Sequence, residues 1–292
     1  MAQEKQEKIV KKSKFYVTWK RLKKSRTAVI GMVLLIIIAF LALFADFLYD
    51  YRADAIKQNT RIRLQGPSWA HPFGTDEFGR DILARVVFGT RPSLFIGLMS
   101  CVLCCIVGVT CGAVAGYFGG VIDNVFMRFF DVLLAVPSIL LAIIIVASLG
   151  ASLFNIIVAI SLSIVPQYVR ITRASVMMVK DQEYIEAARA IGSGTFRTII
   201  GHILPNCFAP ILVQATLRVA TVIADAACLS FLGLGIPPPS PEWGAMLSAG
   251  RAYLRDAPHI VLFPGLAIML TILALKMLGD GLRDALDPKL KT

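Results

Sequence analysis

Several apolar runs, each long enough to cross a lipid bilayer, constrain this chain more than any other feature. The first, residues 28–48, holds one charged side chain in 21 positions. A helix needs about 20 mainly apolar residues to cross the roughly 30 Å hydrocarbon core of a membrane. Hydrophobic residues make up 57% of the 292 positions and charged residues 17%, with a mean hydropathy of +0.71, which excludes a soluble domain of this length.

We therefore predict an all-α polytopic membrane protein with six transmembrane helices in one domain, residues 28–292. The predicted spans are residues 28–48, 93–116, 132–149, 153–169, 207–234 and 260–278. A long polar loop, residues 49–92, follows the first span, and a second polar segment, residues 170–205, follows the fourth. The third and fourth spans contain Pro137 and Pro166, which we expect to bend the helices without ending them.

Basic residues set the expected orientation. Residues 1–27 hold ten Lys or Arg beside the first apolar run, which predicts a basic interfacial segment on the cytoplasmic face. Alternation along the chain then places loop 49–92 outside, segment 170–205 inside and both termini in the cytoplasm, with 19 Lys or Arg inside and 9 outside. The net charge is +11, but the basic residues do not alternate with aromatic residues that could stack on bases. We therefore expect a lipid bilayer and no nucleic acid as the partner.

Small residues recur along the second predicted span. They are Gly97, Ser100, Gly108, Gly112 and Gly116. Such a face allows helices to approach closely in a membrane, so we expect this helix inside the bundle. Six cysteines also lie in or beside apolar runs, and Cys101 and Cys104 form a Cys-x-x-Cys pair with no histidine nearby. We expect them to pack as small apolar residues and to bind no metal.

A polar hairpin lies between the fourth and fifth spans. Its two halves each carry an apolar stripe at positions i, i+3, i+4 and i+7: Tyr184, Ala187, Ala188 and Ile191, then Phe196, Ile199, Ile200 and Ile203. Gly192 and Gly194 between the halves tolerate positive φ angles, and Pro205 is expected to interrupt the second helix. The sequence predicts two short helices whose apolar faces suit a groove or a neighbouring helix.

This hairpin resembles the EAA loop of the membrane subunits of ABC importers. The resemblance is carried by Glu186-Ala187-Ala188, by Gly192 six positions after the glutamate and by Leu204-Pro205, while His202 stands where the family has an apolar residue. It implies a type I importer permease fold whose coupling hairpin docks into a cleft on a separate ATPase. The implied coupling residues are Glu183, Glu186, Ala187, Ala188, Gly192, Leu204 and Pro205.

Three further motifs resemble the C-type permease of peptide and nickel importers. They are Gly74-Thr-Asp-Glu-Phe-Gly-Arg-Asp81, the loop that contains Glu242-Trp243-Gly244, and the tail Gly279-Asp-Gly-Leu-Arg-Asp284, and together with the hairpin they most resemble the dipeptide type. The resemblance implies that Asp76, Arg80 and Trp243 lie on the side that meets a binding protein, and Trp243 is also a natural anchor at the membrane interface. The charges of the first motif have an alternative interpretation, a locally paired turn in which Asp76 or Asp81 pairs with Arg80 or Arg85.

The resemblance implies partners as well. They are a second homologous permease forming a heterodimer, two ABC ATPase subunits that bind ATP and Mg²⁺, and an extracellular or periplasmic peptide-binding protein. The chain contains neither a phosphate-binding Gly-x-x-x-x-Gly-Lys loop nor a nucleophile with a matching base, so we expect no enzyme activity and no cofactor in this chain. The expected function is import of di- or oligopeptides across the bacterial cytoplasmic membrane. Nickel import by the same family, or a stand-alone secondary transporter or channel, are the alternatives.

Arg218 and Asp225 are the two full charges that we identify well inside an apolar span. Seven residues apart, they lie two turns apart on one helix face. Ionisable groups in a membrane are costly and usually face a partner or a watery path. Arg218 and Asp225 therefore have two possible roles. They line a translocation path and meet the charged ends of a peptide, or they form a structural bond to another helix or a backbone carbonyl.

Overall fold

The computed structural model describes residues 14–286, and these are mostly helical. The α-helices are α1 Lys14–Leu22, α2 Arg26–Leu43, α3 Ala45–Leu48, α4 Ile82–Phe118, α5 Gly120–Ala135, α6 Ser138–Leu149, α7 Leu153–Lys180, α8 Glu183–Ala190, α9 Thr195–Thr198, α10 Leu204–Leu229, α11 Trp243–Gly250 and α12 His259–Leu286. Shorter π-helical turns lie at Tyr51–Ile56, Ile199–Ile203 and Ser230–Leu234, and 3₁₀ turns at Thr60–Ile62 and Arg251–Tyr253. Residues 1–13 of the predicted basic segment and residues 287–292 of the tail lie outside the described residues.

Five helical stretches within residues 14–286 are long and apolar enough to cross a membrane. They are α2, α4, α7, the stretch 195–234 and α12. Helices α5 and α6 satisfy the same criteria only as a pair bent by 88°, which gives the predicted six spans if the pair counts as one. The expectation that Pro137 bends a third helix without ending it is wrong. Because a proline pushes the preceding residue toward extended backbone, Val136 has φ −93° and ψ 129°, and α5 ends at Ala135.

The contact between α4 and α7 forms the core of the bundle, and the predicted small-residue face of α4 makes it. Gly108, Gly112 and Gly116 are buried, and their Cα atoms lie against the backbone or Cβ atoms of α7. Ser161 on α7 donates to the Ser100 carbonyl oxygen at 3.1 Å, so a polar bond crosses the same contact. Helix association in lipid relies on such close packing and interhelical hydrogen bonds.

Helix α4 begins at Ile82, so the predicted end of the external loop at residue 92 is wrong. Asp81 caps the helix by accepting from the Ala84 backbone N–H at 2.8 Å. The first three turns look like loop sequence because they carry Arg85 and Arg91. Within the fold these arginines satisfy backbone carbonyls: Arg85 donates to Ala55 at 2.7 Å, and Arg91 donates to α2 at 2.6 Å.

Other boundaries also move outward from the predicted ones. Helix α7 continues to Lys180, so the polar segment does not leave the helix at residue 170, and α12 continues through the charged tail to Leu286. Pro205 does not interrupt the second half of the hairpin, because it lies in the first turn of α10, where a missing N–H is tolerated. The π-helical turn Ile199–Ile203 joins α9 to α10, with the Leu204 N–H donating to the Ile199 carbonyl. The hairpin and α10 therefore form one continuous helical stretch.

Candidate coupling and translocation sites

The hairpin rests on the ends of three long helices. Ile185 and Ala188, one turn apart on α8, are buried, and Ile185 packs in a cluster with Val176 of α7, Ala113 of α4 and Cys207 of α10. The inward face of α8 is therefore shifted from the predicted stripe, since Tyr184 and Ala187 are exposed. This packing fixes the hairpin to the body of the bundle.

The outward face of the hairpin is apolar and uncovered in this chain. Its large side chains, with their exposed fractions, are Tyr184 at 47%, Ile191 at 87%, Phe196 at 77% and Ile200 at 48%. Apolar patches of this kind in a polar setting mark interaction sites. Ala187, also exposed, lies next to this patch and leaves space for another backbone.

Gly192 makes the turn between the two halves. Its φ is +87°, in the left-handed region, and no atom lies within 4 Å of where a Cβ would stand. Gly194 has φ −62°, so the turn requires glycine conformational freedom at Gly192 only. The Gly192 N–H donates to the Arg189 carbonyl oxygen at 2.9 Å and closes α8.

The acidic residues of the hairpin are exposed, whereas Arg189 contacts α4 of the bundle. Glu183 and Glu186 are exposed in the first turn of α8, where they favourably oppose the positive end of the helix dipole. Arg189 lies over the Tyr117 ring at 5.1 Å from its centroid. Glu186 makes no ion pair with any described residue, so its carboxylate is available to a cation on another chain.

The Gly-Thr-Asp motif folds the long loop before α4 onto itself. Asp76 accepts from Arg80 Nε at 2.6 Å and from the Phe78 and Arg80 backbone N–H groups at 2.9 Å each. Asp76 is 3% exposed and Arg80 is 5% exposed. The local pairing that the sequence left open is therefore present, while a direct contact of either side chain with a binding protein stays a prediction.

Glu77 lies beside this pair and is mostly buried. Burial, and after it the neighbouring Asp76 carboxylate, raises the pKa of Glu77 above its ordinary value of 4.5. Arg80 Nη2 donates to it at 3.3 Å, which opposes that shift only in part. The loop thus holds a carboxyl group whose charged form is destabilised by its surroundings.

Trp243 is 2% exposed, so the prediction that it anchors the chain at the membrane interface is wrong. Its indole N–H donates to the Val86 carbonyl oxygen at 2.9 Å, and Gly89 leaves room for the ring against α4. Glu242, 1% exposed, caps α11 by accepting from two backbone N–H groups at 2.8 Å. The Glu-Trp-Gly motif therefore locks α11 onto the start of α4, and a role for Trp243 toward a binding protein stays a prediction.

Arg218 and Asp225 occupy one face of α10, as predicted, and both are half-buried. Arg218 donates to the Gln167 side-chain oxygen of α7. Asp225 makes no hydrogen bond or ion pair with the described residues. The structural-bond alternative thus finds a partner for Arg218 but none for Asp225 among residues 14–286.

A cleft beside Arg218 contains two charges that the sequence reasoning missed. Lys276 and Asp280 of α12 line it together with Gln214, Leu217, Arg218 and Thr221 of α10. Lys276 lies near the end of the predicted sixth span, residues 260–278, and was not singled out because it is not well inside that span. The spacing i, i+4 of Lys276 and Asp280 could have revealed that they share a helix face.

Two family profiles match the chain. Residues 108–292 match the family described as binding-protein-dependent transport system inner membrane component. Residues 13–67 match the N-terminal TM domain of oligopeptide transport permease C.

Curated relatives align over nearly the whole chain. The dipeptide transport system permease protein DppC of Alkalihalophilus pseudofirmus is 49% identical over 274 residues, covering 94% of this chain and 90% of the relative. The di/tripeptide transport system permease protein DppC of Pseudomonas aeruginosa is 46% identical, covering 94% and 91%. The glutathione transport system permease protein GsiD of Pectobacterium atrosepticum is 43% identical, covering 94% and 91%.

A solved structure shares the fold. The MetNI methionine ABC transporter in an inward-facing conformation superposes with a TM-score of 0.56 at 16% identity, covering 70% of this chain and 98% of the matched chain. At this identity the likeness concerns the fold alone.

Proposed function

The chain belongs to the family of binding-protein-dependent transport system inner membrane components, and from this we propose that it is the permease subunit of an ATP-driven importer of di- and oligopeptides. The family and the predicted type I ABC importer permease fold agree. Relatives that transport dipeptides, tripeptides and glutathione support a peptide substrate over nickel. Family membership also disfavours a stand-alone secondary transporter or channel.

The uncovered apolar face of the hairpin is the observation that carries the coupling role. We infer that it docks into a cleft on an ATPase subunit, with Glu183 and Glu186 placed to meet basic residues there. Leu204 and Pro205 lie where the hairpin enters α10, so a displacement of the docked hairpin reaches α10 without an intervening loop. Alternating access by such a rigid movement fits the known repertoire of transport transitions.

The partner set follows from the same role. Two ATPase subunits would bind ATP and Mg²⁺, an external binding protein would deliver the peptide, and a second homologous permease would complete the path as a heterodimer. This chain would itself hydrolyse nothing. In this arrangement it is a multi-pass protein of the bacterial inner membrane, with the hairpin and both termini in the cytoplasm, and Arg218 and Asp225 face the path.

Gly192 provides a test of the coupling role. Proline requires φ near −65°, so Gly192→Pro is incompatible with a φ of +87° and also removes the N–H that closes α8. We expect the variant chain to insert into the membrane, while peptide transport and substrate-stimulated ATPase activity fall together.

Gly194→Pro is the matched control, because Gly194 already has φ −62° and its N–H makes no backbone hydrogen bond in this turn. It should transport at the normal rate. If the Gly192→Pro complex assembles and imports normally, the hairpin does not couple ATP hydrolysis to transport.

A further inference from the structure

Four polar side chains form a stripe along α10. Gln214, Arg218, Thr221 and Asp225 recur at i, i+4, i+7 and i+11, the spacing of a single helix face. All four are half-buried, so the stripe is open on one side. The second half of this helix therefore turns a polar face away from the core of its own subunit.

Helix α12 adds charge to the same region. Lys276 and Asp280, one turn apart and both exposed, complete a cleft of about 440 Å³ between α10 and α12. Gly279 lies against Leu217, which lets the two helices approach closely at this level. The volume falls within the range of about 300–1,000 Å³ that small-molecule sites occupy.

Lipid cannot be the neighbour of this cleft. Charged groups exposed to hydrocarbon are costly, and those found in membrane spans face protein or water. The lipid-facing side of α2 shows the contrast, since its exposed side chains are apolar, with Ile36 at 60% and Phe40 at 55%. The cleft must therefore contact water, a polar solute or a polar surface of another chain, and its open volume leaves room for a solute.

We propose that this cleft binds the terminal carboxylate of a peptide in transit, with Arg218 and Lys276 as the binding cations; this rests on the proposed function and deepens it. A guanidinium binds a carboxylate through two parallel N–H donors, and the ammonium adds a second charge. Gln167 holds Arg218 from the α7 side. Asp280 balances one of the two cations, so a single carboxylate completes neutrality.

Asp225 lies farther along the same stripe and would meet the peptide ammonium group. Seven helical residues separate Arg218 from Asp225, a rise of about 10.5 Å. An extended dipeptide spans about 7 Å, and the two side chains reach across the remainder. This spacing favours short zwitterionic peptides over long ones.

Thiol labelling of the cleft tests the proposal without relying on transport. Thr221→Cys places a thiol in the cleft, in the full transporter complex, with Cys105, Cys111 and Cys228 replaced by serine. If that background does not assemble, only the exposed Cys228 is replaced, because the other five cysteines are buried or half-buried. An anionic methanethiosulfonate should react faster than a cationic one. Ile36→Cys on the lipid face of α2 is the control and should react with neither.

Neutral substitutions then identify which side chains cause the preference for the anionic reagent. Lys276→Gln or Arg218→Gln removes one charge roughly 10 Å away, which should lower the anion-to-cation rate ratio by about fourfold. Lys276→Arg should preserve the ratio. A ratio that favours the cationic reagent, or that ignores both neutral substitutions, overturns the assignment.

The last measurement is protection of the introduced thiol by a transported peptide. During turnover, a transported dipeptide with a free carboxylate should slow labelling of Thr221→Cys, and its C-terminal amide should not. If the peptide is transported but labelling is not slowed, no carboxylate binds here. If the complex transports no peptide at all, the transport assay shows that the proposed function has failed, and the inference fails with it even where the charge preference holds.

Discussion

Replacing Gly112 with alanine should loosen the contact between α4 and α7. A methyl group at this position would lie 2.7 Å from the Val169 carbonyl oxygen and 2.7 Å from Thr172 Cβ. Ordinary van der Waals contact begins near 3.4 Å, so the two helices would have to separate by several tenths of an ångström. The obstacle is backbone and Cβ, and neither can move away by changing rotamer.

The size of the effect follows from two opposing terms. Overpacking a tight core costs about 1–3 kcal/mol. Alanine gains about 0.8–1.0 kcal/mol over glycine in a helix. The net destabilisation by Gly112→Ala is therefore expected between about 0 and 2 kcal/mol, too close to zero at its lower end to interpret alone.

Gly265→Ala in α12 isolates the steric term. It carries the same helix propensity gain, but its nearest atom, Leu247 Cδ2, would be at an ordinary 3.7 Å. The free energies of unfolding of the two variants should thus differ by about 1–3 kcal/mol. Thermal unfolding of the purified complex in detergent measures this, with Gly112→Ala unfolding at the lower temperature. Coincident midpoints for the two variants would show that α4 and α7 are not in close contact at Gly112.

Other predictions concern topology, pH and the path. Cysteines introduced at Ser68 and Ser193, in a chain without reactive thiols, should label from opposite faces of the membrane, and labelling of Ser193 from outside intact cells would contradict the orientation. Glu77→Gln should raise the unfolding temperature at neutral pH and change it little below pH 4.5. Because the pKa of Glu77 is raised in the folded state, the protonated carboxyl stabilises the fold, and this stabilisation is lost as the pH rises through the folded-state pKa. An equal shift of the unfolding temperature at both pH values would refute this. Asp225→Asn should leave assembly intact and change the transport rate or the preference among peptides of different charge, because Asp225 has no bond to any described residue that the substitution would break; lower yield with unchanged transport per complex would indicate a structural role instead.

Apolar length and small-residue spacing predicted the membrane helices and the α4 contact face, because both depend on local sequence. Helix ends were predicted less well. The start of α4 carries Arg85 and Arg91, and only the folded loop reveals that their charges bind backbone carbonyls. Val136 could have been foreseen as a break, since the rule for residues before proline is local, but the 88° angle between α5 and α6 depends on tertiary packing.

The site residues likewise separate into features that local sequence predicts and features that depend on tertiary packing. The motif Glu186-Ala187-Ala188 identified the hairpin, yet which side of it is buried depends on the helices beneath. Trp243 illustrates the limit most clearly: an amphipathic ring near a membrane interface suits either surface, and the deciding factor is the space left by Gly89, which is distant in sequence. Lys276 joins Arg218 only because α12 returns beside α10.

The unbroken helical stretch from Thr195 to Leu229 fixes a rotational phase between two surfaces. Each added residue would rotate everything beyond it by about 100°. The part of the outward apolar face that lies on this stretch, Phe196 and Ile200, and the polar stripe that begins at Gln214 therefore have relative directions set by the number of residues between them. A one-residue insertion in that interval would keep both sequences intact and still turn the stripe toward the wrong neighbour, whereas insertion of a residue in the turn before Gly194 would leave the angle between them unchanged.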